Sequence, residues 1–114
     1  MRLETLNDVL VEQLKDLYSA ENQILKALPK MAKASSSPDL RQAFEEHLEQ
    51  TKGQVERLDR VMEMIGVTGR GKKCKGMEGL LEEGKETLDM KAEASPAALD
   101  AAIIADAQRV EHYE

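Results

Sequence analysis

Two stretches of nearly thirty residues each carry apolar side chains in steps of three and four, and that spacing admits little except a pair of long amphipathic helices. The first runs through Leu6, Leu10, Leu14, Leu17, Glu21, Ile24, Leu28 and Met31. The second runs through Leu40, Phe44, His47, Thr51, Val55, Leu58, Met62 and Ile65. Glu21 is the misfit. It occupies an inward position where an isolated carboxylate would cost several kcal/mol, so it requires a cation, a hydrogen-bond donor or a metal.

The punctuation of the sequence bounds these helices. Thr5 or Asn7 caps the first, with Asp8 as the capping-box partner of Thr5, and the pattern continues to about Ala34 with Pro29 bending its last turns. Ser37 and Pro38 open the second helix and Gly66 closes it, which makes the first half an antiparallel hairpin. Residues 66–76 read as an exposed basic loop around Arg70, Lys72, Lys73 and Lys75. Their glycine spacing fits no phosphate-binding fingerprint. A short crossover helix is expected from Met77 to about Met90 with Met77, Leu80, Leu81 and Leu88 inward, weakened by Gly79 and Gly84. Ser95 and Pro96 open a last helix through Leu99, Ile103, Ala107 and Val110.

Composition agrees with an all-α chain and narrows its partners. The 114 residues make one domain, with 33% charged residues, 3% aromatics and no Trp. A formal charge of −6 disfavours a nucleic-acid backbone as partner and suits metal cations. Cys74 is the sole cysteine, so it reads as a free structural thiol in a cytoplasmic protein. No run approaches the ~20 apolar residues of a membrane span, and no substrate motif is recognisable.

In a hairpin turning near residues 35 and 36, positions whose numbers sum to about 71 lie level, because both helices rise equally per residue. Glu21, His47, Gln50, Thr51 and Gln54 therefore share one layer. On the last helix two stripes compete. One, through Ile104, Ala107, Glu111 and Glu114, turns Glu111 inward; the other, through Ile103, Ala107, Val110 and Glu114, turns it partly outward. Carboxylates and an imidazole projecting from separate helices into a bundle are the donors of di-iron and di-manganese sites. A buried Glu21–His47 pair that merely fixes helix register uses the same residues. The acids Glu45, Glu46, Glu49, Glu56 and Glu63, and Glu82, Glu83 and Glu86, read as solvated surface. No catalytic residue set is present.

The blocks LYSAENQILKALPKMAKA, HLEQTKGQVERLD, KKCKGMEGLLEEG and AAIIADAQRVEHYE, spread over nearly the whole chain, resemble the bacterial YciF family of ferritin-like stress proteins. The resemblance implies a ferritin-like four-helix bundle, a cytoplasmic stress-response role without defined biochemical activity, and a tendency to dimerise. It also implies a metal site of Glu21, His47, Glu111 and Glu114, with iron or manganese as cofactor. Gln50 departs from it, standing where the family usually has a glutamate, and helix two lacks a Glu-x-x-His. Family members also continue past EHYE into a fourth helix. On this reading the chain is an incomplete, non-enzymatic bundle with a partial di-metal site, completed as a homodimer or higher oligomer. A di-metal oxidase and a helical interaction module are the alternatives.

Overall fold

A computed structural model describes residues 3–114. Four α-helices form in the expected order: α1 (Leu6–Ala34), α2 (Pro38–Met64), α3 (Lys75–Asp89) and α4 (Pro96–Tyr113), with a 3₁₀ turn at Lys91–Glu93 before α4. The turn was not anticipated from the sequence. The molecule is elongated, 51 × 23 × 18 Å, because α1 and α2 run side by side for most of its length. No described helix is long and apolar enough to cross a membrane.

Local chemistry accounts for the helix ends. At α1 the Asp8 N–H donates to Thr5 Oγ1 at 3.1 Å while the Thr5 N–H donates to Asp8 Oδ2 at 3.1 Å, the reciprocal box that satisfies two orphan donors. Backbone donors from Glu4 and Thr5 hold the Asp8 carboxyl below its ordinary range. The helix passes Pro29 without a break. Ser37 caps α2 by accepting the Leu40 N–H, and Ser95 caps α4 by accepting the Ala98 N–H, each with proline in the first turn. Gly66 ends α2 at φ 73°, and the Val67 N–H reaches back to the Met62 carbonyl at 3.0 Å, a closure that the left-handed conformation of glycine permits.

The core lies in the half of the hairpin nearer the α1–α2 turn. Ile24, Leu28 and Met31 of α1 meet Phe44 of α2, Met77 of α3, and Leu99, Ile103 and Val110 of α4. Each such side chain contributes roughly 1.5–3 kcal/mol through burial. Asp100 fixes α4 across this end: its carboxylate oxygens accept the Ser36 and Ser37 N–H groups at 2.7 and 2.9 Å. Arg41 adds bonds to the Ala32 and Ser35 carbonyls from α2.

The 66–76 segment is less solvated than its basic composition predicts. Lys72 is half-buried and pairs with Glu12, and Lys73 pairs with Glu78 while staying exposed, as Arg70 and Lys75 are. Cys74 is fully buried. Its N–H donates to Ser19 Oγ at 2.8 Å, its carbonyl accepts Gln23 Nε2 at 3.1 Å, and its thiol caps α3 at the Met77 N–H. The segment is therefore tied to α1 rather than looping free. Tyr113 Oη lies 3.3 Å from Cys74 Sγ, and this contact pushes its pKa up to about 12.

A second correction concerns the inward stripes. Leu14 is buried, but Leu6, Leu10 and Leu17 of α1 and Ile65 of α2 are exposed, Leu6 at 89%; Met64 beside them is 84% exposed. α4 ends level with Glu21 and His47, and beyond that height, among the described residues, the 66–74 segment lies along α1 at Glu12, Tyr18 and Ser19 without a further helix over the hairpin. The accessible surface of 7601 Å² exceeds by about 1,400 Å² the roughly 6,200 Å² expected of a compact monomer of this mass.

Candidate metal centre

At the boundary between the packed and the open halves, polar side chains from three helices face one another. α1 delivers Glu21 because it continues the stripe of Ile24 and Leu28, so the packing that buries those residues carries the carboxyl inward to 7% exposure. α2 delivers His47, one turn beyond buried Phe44. α4 resolves its two competing stripes in favour of the second: Ile103 and Val110 are buried, Ile104 is exposed, and Glu114 lies inward at 11% side-chain exposure against 49% for Glu111. Glu111 nevertheless reaches the site from the rim.

The distances are those of a convergent donor set. His47 Nε2 lies 3.0 Å from Glu111 Oε1 and 3.2 Å from Glu114 Oε1, and one ligating atom from each of the three residues falls within 4.8 Å of the others. Yet His47 Nε2, Glu21 Oε2, Glu114 Oε2 and Gln54 Oε1 are all buried without a properly directed hydrogen bond. Buried polar atoms left unsatisfied are costly, and three of these four, two carboxylate oxygens and an imidazole nitrogen, belong to the side chains that most readily ligate a divalent cation. The residues fit a divalent ion on that ground: carboxylate oxygens and one imidazole nitrogen suit iron or manganese.

Electrostatics agree. The Glu21 carboxyl is pushed from its ordinary 4.5 to about 8, first by burial, then by the Glu114 carboxyl beside it, and then by the charge of Glu111. Without a cation, Glu21 stays largely protonated at neutral pH. A bound dication reverses the balance and favours the carboxylates.

Glu21, His47, Glu111 and Glu114 are thus the four sequence candidates, and all four line one pocket of 460 Å³. Gln50 and Gln54 line it too, as the level rule placed them. Thr51 does not: it is fully buried and its hydroxyl bonds back to the His47 carbonyl at 2.8 Å, a structural role. Glu46 is exposed, as its reading as solvated surface expects, and it also lines the pocket while its carboxylate accepts a hydrogen bond from Gln42. The four-residue spacing of Glu46, Gln50 and Gln54 was the available signal.

A helical hairpin carrying a His-carboxylate cluster, closed by a short crossover helix and α4, defines a recognisable class, and the chain belongs to the family described as domain of unknown function DUF892, whose model matches residues 5–114. Within it, the chain is 46% identical over 115 residues to protein YciF of Escherichia coli strain K12, covering all of this chain and 68% of that protein. The crystal structure of the E. coli stress protein YciF superposes with a TM-score of 0.86 at 46% identity, over 97% of this chain and 69% of that one. YcfI from Rhodopseudomonas palustris superposes with a TM-score of 0.88 at 45% identity, over 96% and 69%. The chain is a homologue of a stress protein, with a YciF-like all-α fold.

Proposed function

We propose that this chain is a ferritin-like stress-response protein that binds a divalent metal, iron or manganese, through Glu21, His47, Glu111 and Glu114, and acts by holding the ion rather than by turning over a substrate. The observation that carries the reading is the trio His47, Glu111 and Glu114, whose ligand atoms lie within 4.8 Å of one another, in a pocket where Glu21, His47 and Glu114 each bury an unsatisfied polar atom. Gln50 weighs against a di-metal oxidase, since a neutral amide is a poor ligand for a second hard ion. Anaerobic titration with Fe(II) and Mn(II), read by calorimetry and metal analysis, tests it. A single tightly held ion per chain, lost in Glu21→Ala, is expected. Protein that stays metal-free, or Glu21→Ala binding as well as the parent, overturns it; two ions per site would favour the oxidase.

The partner we propose is a second copy of the chain. The exposed apolar end of the hairpin, with Leu6, Leu10, Met64 and Ile65, and the surface excess of about 1,400 Å² support this, because a stable interface needs about 800 Å² or more from each partner. The second copy would complete the bundle that α4 covers only in part. Light scattering should give a dimer, and a monodisperse monomer that binds a hydrophobic dye would instead favour an interaction module for other helices.

A further inference from the structure

On the side of the bundle away from the hairpin's α2, α1, α3 and α4 enclose a second groove of 390 Å³. Its floor is apolar, formed by Ala27 and Met31 of α1, Leu80, Leu81 and Leu88 of α3, and Val110 of α4. Gly84 also lines it, interrupting the inward stripe of α3 between Leu81 and Leu88. Glycine weakens a helix relative to alanine, so it ordinarily answers a steric or conformational need. Gly84 answers neither: its φ is not positive, and a Cβ built there meets nothing within 4 Å. The missing side chain leaves a hole in a row of leucines.

The rim carries the opposite sign to the protein. Lys26 and Lys30, one turn apart on α1, and Lys85 on α3 line the groove, and no ion pair engages any of them among the described residues. The acids nearby are mostly committed: Glu78 to Lys73, and Asp106 to Thr87 and Arg109, leaving Glu82. On a chain of net charge −6, this is a local excess of positive charge beside an apolar slot. The volume lies at the lower end of the roughly 300–1,000 Å³ of small-molecule sites, which suits one alkyl chain rather than a two-chain lipid.

We infer that this groove binds a single-chain fatty carboxylate, with its alkyl chain over Gly84 between the α3 leucines and its head between Lys26, Lys30 and Lys85. The probe is dodecanoate below its micelle concentration, titrated calorimetrically into the full chain, with dodecyltrimethylammonium as the same tail bearing a cationic head. Saturable binding of dodecanoate, at least ten-fold tighter than the cation, is expected. Lys26→Glu/Lys30→Glu should weaken it ten-fold or more. Gly84→Leu, which fills the hole and favours the helix, should do the same with undiminished helical circular dichroism. Absence of saturation, equal affinity for the two heads, or binding unchanged in both variants would overturn the inference. So would cosedimentation with phosphatidylglycerol vesicles in place of monomeric binding, which would make the groove a membrane contact.

Discussion

The two halves of the α1–α2 hairpin share one sequence pattern and differ in what becomes of it. Toward the turn, Ile24, Leu28 and Phe44 are buried under α4, and Asp100 binds the turn itself. Toward the open end, Leu6, Leu10, Leu17 and Ile65 continue the same spacing into solvent. Periodicity therefore specifies a face, while the element that covers the face decides whether it becomes core. The polar layer of Glu21 and His47 marks the border, where burial is sufficient to perturb a carboxyl but α4 still leaves a pocket.

The sharpest way to break this contrast is to shave one leucine from each half. Leu28→Ala should cost about 2–5 kcal/mol in denaturant unfolding, since it opens a cavity in a packed core. Leu6→Ala should change the unfolding free energy of the monomer by less than about 0.5 kcal/mol. Equal losses would show that the open half is as well covered as the other.

The border layer predicts the next largest effect. The folded-state pKa of Glu21 lies above its unfolded value, so the folded protein binds the extra proton between about pH 4.5 and 8. Stability in the absence of metal should therefore fall as pH rises through that window, and the full penalty, roughly 2 kcal/mol or more, is present above pH 8. Glu21→Gln should flatten this dependence and be more stable than the parent at pH 9 in chelator, while losing the metal. A parent whose stability rises between pH 5 and 8 would contradict the assignment.

Smaller effects refine the picture at the two extremes. Asp100→Ala removes the acceptor of two backbone donors at the turn and should cost about 1–3 kcal/mol, measurable by the same unfolding curves. Gly84→Ala should stabilise by up to about 1 kcal/mol, because nothing obstructs its Cβ. Leu6→Lys with Met64→Lys should leave the thermal midpoint of a dilute monomer nearly unchanged and abolish dimerisation in sedimentation, which isolates the open half as an assembly surface.

Much of this was legible from residues alone. The caps at Thr5, Ser37 and Ser95, the glycine stop at Gly66, and the shared height of Glu21, His47, Gln50 and Gln54 follow from local chemistry and equal helical rise. What escaped depended on the third dimension. The choice between the Ile103 and Ile104 stripes on α4 rests on which face meets α1 and α3. The fate of Lys72 rests on Glu12, sixty residues away. Glu46 is the surface acid its spacing suggests, but that spacing is the same whether or not a pocket lies beneath it. Leu6 and Leu17 looked like core because spacing carries no information about which element packs over them.

The two tyrosines, Tyr18 and Tyr113, lie against the backbone of Gly69 and Gly76, where an added Cβ would come within 2.3 and 2.5 Å of their side-chain atoms. With no tryptophan in the chain, both of its tyrosine fluorophores sit on a single seam where the crossover meets α1 and α4. Intrinsic emission is thus a local gauge rather than a global one. It will respond when that strap peels away, even while backbone ellipticity still reports intact helices.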